Sequence, residues 1–239
     1  MTDNRPEPII AKFQSLGDDA TAKHSQRFFK TGIGEYGEGD VFLGVRVPVI
    51  RQQVKTHKDM ELKTISELIK SEFHEIRLFA ALMLVKKYQT ADHDTQRRSY
   101  DLYLKNLKHI NNWDIVDSSA HYIVGDYLFE NNNDIEILYS LARNKNLWKR
   151  RVAIMSSFYF IKNKQYAHTL SLAEILLHDK EDLIHKAVGW MLREIGNRSI
   201  NTEETFLKVH YQNMPRTMLR YAIEKFPEPK RKAYLKGKI

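Results

Sequence analysis

Three places in the sequence combine residue types suited to acting on cations and phosphates. In NNWDIVD (111–117), Trp113 and Asp117 stand four apart, which on a helix puts an indole and a carboxylate on one face. In WKRR (148–151), Trp148 precedes the cations Lys149, Arg150 and Arg151. In GWMLR (189–193), Trp190 and Arg193 share a face at i, i+3. Electron-rich indole faces attract a cation, a carboxylate stabilises positive charge developing in a reaction, and guanidinium groups grip phosphate oxygens. Singly, each place has a plainer explanation. A Trp on a helix ordinarily fills a core. Asp117 beside Ser118 can serve a cap or turn, Asp114 competes with it as the exposed acid, and Arg150 and Arg151 can pair with nearby acids. Together, two Trp, one Asp and several Arg on neighbouring helices describe one coherent site.

The elements that must position these residues are helical. Leu62, Ile65, Leu68 and Ile69 form one apolar stripe, and Ile76, Phe79, Ala80, Met83 and Leu84 another; Leu138 with Leu141, and Leu172, Ile175 and Leu176, continue the pattern. Polar patches at 90–94, 131–134, 162–165, 178–182 and 196–201 punctuate the runs. An opening helix is expected over roughly 5–30. It is followed by the Gly-rich segment TGIGEYGEGDVFLG (31–44), whose glycines forbid a stable helix, and by a helix over 45–55 with Pro48 in its first turn.

A repeat emerges when five segments are aligned: HEIRLFAALML (74–84), NNWDIVDSSAHYIV (111–124), NLWKRRVAIM (146–155), DLIHKAVGWML (182–192) and TMLRYAIEKF (217–226). Their small residues Ala80, Ala120, Ala153, Ala187 and Ala222 are spaced by 40, 33, 34 and 35, and Arg77, Arg151, Lys186 and Arg220 precede four of them. A period in the thirties with two helices per unit marks an all-α solenoid of HEAT or armadillo type. The expectation is a single domain over 1–239, with small residues where paired helices meet and a row of cations along one concave edge, a surface suited to an extended polyanion.

Composition agrees. Thirty-eight Lys and Arg against thirty Asp and Glu leave a net charge of +8, which favours an anionic partner. The lack of cysteine excludes disulfides, zinc–thiolate sites, iron–sulfur clusters and a Cys nucleophile. The amino-terminal residues MTDNRP lack the apolar core of a secretory signal, and no apolar run approaches the eighteen residues of a membrane span. A cytoplasmic location and a monomer are the default expectations.

NNWDIVDSSA, LWKRRVAI, GWMLREIG and FLGVRVPVIR (42–51) resemble, in order and spacing, the AlkD family of bacterial DNA alkylation-repair glycosylases, over about residues 25–230. The resemblance implies a HEAT-like superhelix. It also implies hydrolysis of the N-glycosidic bond of N3- and N7-alkylated purines in duplex DNA, with no metal or organic cofactor and without extrusion of the lesion into a deep pocket. It makes Trp113 and Trp190 the indoles that contact the damaged nucleotide, Asp117 the catalytic carboxylate, Arg151 the arginine close to it, and Arg193 a backbone contact. Arg150, Lys149, Lys186, Lys30 and Tyr36 complete the candidate DNA-binding set. Two departures stand out: the Gly-rich insertion is long, and Phe28 or Phe29 stands where the family commonly has a Tyr, with Tyr36 as a substitute. The insertion's backbone N–H groups could cradle a phosphate, although Glu35, Glu38 and Asp40 argue against it. The competing functions are a non-catalytic repeat protein that binds bent or branched DNA, which Asp117 turned into the core would favour, and a scaffold for an acidic protein.

Overall fold

The computed structural model describes residues 3–131 and 134–239. Among them the chain is helical throughout, and the one β-type pairing is a parallel bridge between Val41 and Phe73. No helix among them is long and apolar enough to cross a membrane. The chain divides into two compact units, Met1–Ile123 and Val124–Ile239.

The first unit contains α1 (Pro6–Ser15), α2 (Asp19–Phe28), α3 (Val47–Thr56), α4 (Leu62–Leu68), α5 (His74–Gln89), α6 (His93–Lys105) and α7 (Trp113–Asp117). Helix α5 buries thirteen of its sixteen residues. A helix apolar on all sides belongs at a centre, and α3, α4, α6 and α7 all pack against it. The expected single opening helix is corrected. It breaks at 16–18, where Asp18 is extended and its carboxylate accepts the Thr21 N–H at 2.8 Å, starting a new helix.

The aligned segment 111–124 is likewise not one continuous helix. Helix α7 stops at Asp117, and the chain widens into a π-helical turn at His121–Gly125. The local cause is a pair of serines. Ser118 Oγ donates to the Asp114 carbonyl at 2.7 Å and Ser119 Oγ to that of Ile115 at 2.6 Å, competing with backbone donors for the same acceptors.

The second unit contains α8 (Asp126–Glu130), α9 (Glu136–Ala142), α10 (Leu147–Ser156), α11 (Phe158–Lys162), α12 (Ala167–Ile175), α13 (Asp182–Gly196), α14 (Ile200–His210), α15 (Arg216–Ala222) and α16 (Glu228–Leu235), with a 3₁₀ turn at Ile223–Lys225. Its centre is α13, against which α10, α12, α14 and α15 pack. The turn expected at 131–134 lies partly outside the described residues.

The all-α, helix-pair repeat architecture is as expected. Ala80, Ala120, Ala153, Ala187 and Ala222 are all completely buried, the places where only a methyl fits between helices. The row of exposed cations is corrected, because Arg77 and Arg151 are 4% and 5% exposed and therefore buried. A long side chain one turn ahead of a buried Ala points back along its helix toward neighbouring carbonyls and carboxylates, and so away from solvent.

Candidate active site

The site in the first unit is built around α7. Its N-cap is Asn112, at φ 86°, whose side-chain oxygen accepts the Trp113 N–H at 2.9 Å. Ile115 and Val116 are buried, while Trp113, Asp114 and Asp117 are half-buried. Trp113 stacks on Phe29, with ring centroids 5.2 Å apart and planes within 17°, and meets Phe28 edge-on at 6.0 Å. Phe29 in turn stacks on Phe42 at 5.0 Å. An aromatic pair of this kind contributes about 0.5–1.5 kcal/mol beyond burial, so the indole plane is held firmly.

Asp114 is occupied structurally. Its Oδ2 lies 2.8 Å from His74 Nε2, and the other imidazole nitrogen, Nδ1, lies 3.2 Å from Asp40 Oδ2. Asp40 also accepts from Arg77 Nη2 at 2.6 Å, Asn111 Nδ2 at 2.9 Å and Asn112 Nδ2 at 3.1 Å. Burial opposes a charge on His74, but the Asp114 carboxylate and the hydrogen bonds to both acids outweigh it and raise the imidazole to about 9. Burial likewise opposes the Asp40 charge, and His74, Arg77 and Asn112 together hold that carboxyl below its usual range.

Asp117 is placed differently. It lines a cleft of about 720 Å³ together with Arg51 and Lys55 of α3, Leu82, Val85 and Lys86 of α5, and Ser118, His121 and Tyr122 after α7. Asp117 is therefore half-buried at the edge of a space rather than enclosed in the core. Arg51, Lys55 and Lys86 are exposed at that space. Beneath α7, Tyr103 bonds to Ser119 Oγ at 3.0 Å; burial first, with the Asp117 charge adding, raises its hydroxyl well above the ordinary range. That tyrosine stays neutral beside the carboxylate.

The Gly-rich segment uses its own donors. Gly32 N–H donates to Glu35 and Gly34 N–H to Glu38, each at 2.9 Å, so the acids in the insertion occupy the groups a phosphate would need. Lys30, exposed and at φ 53°, leads into it. The Tyr36 hydroxyl donates to the Phe28 carbonyl at 3.4 Å, and Phe29 supplies a ring stacked on Trp113. Glu75 holds the following FLGV turn, accepting the N–H groups of Leu43, Gly44 and Val45 at 3.0, 2.8 and 3.2 Å.

A sequence model of the DNA alkylation repair enzyme family matches residues 9–226. The chain belongs to that family. A structure described as a predicted DNA alkylation repair enzyme from Enterococcus faecalis is similar to it in fold, with a TM-score of 0.69 at 16% identity, covering 89% of this chain and 98% of the other. No curated protein matches the chain in sequence. Family membership supports an enzymatic role in the repair of alkylated DNA.

In this repair-family chain, the second unit carries the remaining sequence candidates. Trp190, half-buried on α13, donates from Nε1 to Glu194 at 3.3 Å, and its ring lies 6.5 Å from that of Phe158. Its neighbour Gly189 is required by packing: a Cβ there would lie 2.4 Å from the Met218 carbonyl oxygen. Arg193 pairs with Glu224, and Lys186 with Asp182 at 2.8 Å. Arg150 is held by Asp179 at 2.6 Å and by the carbonyls of Asn144 and Lys145. Arg151 donates to the Leu183 carbonyl, and Lys149 is half-buried. Trp148 is 7% exposed and fills the core of its unit, the ordinary fate of a helical Trp.

Sequence reasoning missed Arg51, Lys55 and Lys86. The signal was present, because Arg51 closes the FLGVRVPVIR motif and Lys55 follows one helical turn later. Asp40 and His74 were also missed as members of the site, since a contact 34 residues apart in the chain leaves no local period to detect.

Proposed function

We propose that this protein is a DNA N-glycosylase that releases N3- or N7-alkylated purines from duplex DNA, acting as a cytoplasmic monomer in which residues 1–239 work as one domain. The observation that carries the reading is the position of Asp117: a carboxylate on an open cleft rimmed by three cations, on the same short helix as a rigidly stacked indole.

The chemistry follows from charge. An alkylated purine is already cationic, so it leaves with little help from a general acid. As the glycosidic bond lengthens, the deoxyribose takes on oxocarbenium character. Asp117 stabilises that charge and orients or deprotonates the attacking water. The indole face of Trp113, with its other side covered by Phe29, favours the same cationic nucleotide, and Trp190 is assigned the corresponding role from α13. Arg51, Lys55 and Lys86 hold flanking phosphates at the cleft, which binds the backbone without reading sequence. Arg193, Lys149, Lys186 and Lys30 are assigned to the DNA backbone, while Arg151, buried on the Leu183 carbonyl, braces its own helix. Tyr36 enters as a brace for the aromatic stack, and Arg150, engaged with Asp179, as a strut of its helix pair.

The test is incubation of the full chain with duplex DNA containing 7-methylguanine or 3-methyladenine, scoring free base and abasic sites. Release of the modified base with an intact sugar–phosphate strand is expected. Tight duplex binding by folded protein, with no release from any N3- or N7-alkylated purine, would overturn the reading and leave a DNA-binding relative instead.

A further inference from the structure

Helix α7 is one turn of five residues, too short to hold its own direction. Its direction is imposed from outside, and the Gly-rich segment supplies the anchor. Asp40, 6% exposed within that segment, accepts hydrogen bonds from Asn111 and Asn112, the two residues that lead into α7. A third link runs through His74, which bridges Asp40 to Asp114 within the helix. The segment lies tight against this junction: a Cβ on Gly37 would stand 2.4 Å from the Phe29 carbonyl oxygen and 3.5 Å from Asn112 Nδ2.

From this geometry we infer that Asp40 and His74 are positioning residues, which set the helix bearing Trp113 and Asp117 in its working orientation. Both imidazole nitrogens face carboxylate oxygens, and a neutral imidazole can donate from only one of them. The bridge is therefore complete only as an imidazolium. The charged groups facing His74 are Asp40 from the Gly-rich segment, Asp114 from α7 and Arg77 from its own helix; the rings packed on it, Phe29 and Phe42, are uncharged. With the imidazole protonated the cluster holds two anions and two cations. Loss of that proton leaves one carboxylate without its donor inside a buried site, and the other oxygen of Asp114 already lacks a hydrogen-bond partner. Helix α7 then loosens at its anchored end. Arg51, Lys55 and Lys86 sit on α3 and α5 and keep their places, so the chemical step suffers while DNA binding does not.

The rate part of the test rests on the glycosylase reading, so a second readout stands apart from it. Single-turnover base release and the affinity for undamaged duplex are measured from pH 7 to 9.5 for the wild type, His74→Gln and Asp40→Asn. In parallel, the indole N–H resonance of Trp113, assigned by its loss in Trp113→Phe, is followed in the free protein. Wild-type release is expected to fall about fourfold between pH 8 and 9.5 as an imidazole near 9 deprotonates, with affinity unchanged. The Trp113 resonance should move over the same interval. His74→Gln should release base roughly tenfold more slowly at pH 7.5, bind DNA within about twofold of wild type, and lose both pH responses. A Trp113 resonance that does not respond to pH overturns the inference, as does His74→Gln with wild-type release, or a parallel loss of rate and affinity. If His74→Gln fails to fold, the wild-type titration and its displacement to lower pH in Asp40→Asn decide. A wild type that releases no base defeats the glycosylase reading alone, because the Trp113 resonance still reports on positioning.

Discussion

The two units place the same pair of residue types at the same spacing and put them to different uses. In the first, Trp113 and Asp117 are four apart on α7; in the second, Trp190 and Glu194 are four apart on α13. Glu194 accepts from the indole of its own Trp and from Arg198 at 2.7 Å. Burial opposes its charge, but Arg198 first and the indole next hold its carboxyl below the ordinary range. Asp117 instead lines a cleft. The indoles differ in the same way, Trp113 being stacked flat on Phe29 and Trp190 tethered by its N–H. On the proposed reading, the acid that borders a cleft takes the chemical role, and the acid held by its own helix does not.

Their buried acids diverge too. The first unit surrounds Asp40 with Arg77, His74 and two asparagines, and Glu75 with three backbone N–H groups. The second buries Glu203 at 1% exposure, and burial first, then the nearby charge of Glu204, raises its carboxyl to about 8. One unit balances buried charge with cations and donors; the other removes the charge by keeping a proton.

The contrast breaks most sharply at the two acids. Asp117→Asn is expected to slow single-turnover base release by roughly 10²- to 10³-fold, with duplex affinity preserved. An equal loss of affinity would move Asp117 from chemistry to binding. The cations come next. Arg51→Ala and Lys55→Ala should each weaken duplex binding several-fold and reduce the salt dependence by about one counterion. Lys186→Ala, whose ammonium is already held by Asp182, should move it less; titrations at several salt concentrations give the slopes.

Glu203 gives a smaller effect, on stability. Its carboxyl titrates near 8 in the folded protein against a reference of 4.5, so the folded state carries an extra proton across that interval. Stability is then greatest below the lower value and declines as pH rises toward the upper one. Glu203→Gln should abolish that decline, raising the Tm at pH 8 by on the order of 5 °C with little change at pH 4.5. A Tm difference that is the same at both pH values would count against a protonated Glu203. The smallest effect is expected at Glu194→Gln, which should keep base release within about threefold of wild type, since its amide oxygen still accepts from Trp190. A loss as large as that of Asp117→Asn would erase the distinction between the units.

Much of this was legible in the residues alone. The repeat period and the helical pattern follow from local periodicity, which the backbone converts directly into helices with one buried face. The five alanines identified by spacing are the fully buried contact points. Trp113 and Asp117 were legible because four residues make one turn, an arithmetic that needs no fold.

The sequence could not say which charges face water. Arg77 and Arg151 look like members of a cationic row and Arg150 like a DNA contact, yet each is turned onto a carboxylate or carbonyl of its unit. Asp114 and Asp117 look equivalent, and only His74, 40 residues earlier, distinguishes them. The Gly-rich segment looks like a phosphate loop or a mere turn, but its final carboxylate anchors the helix of the candidate site. Helical identity depends on neighbours in the chain, and so it was fixed by the sequence itself. The use of each charge depends on which distant groups share its burial, because a desolvated ion must find its counter-charge or donors across space. That pairing was decided by the tertiary structure.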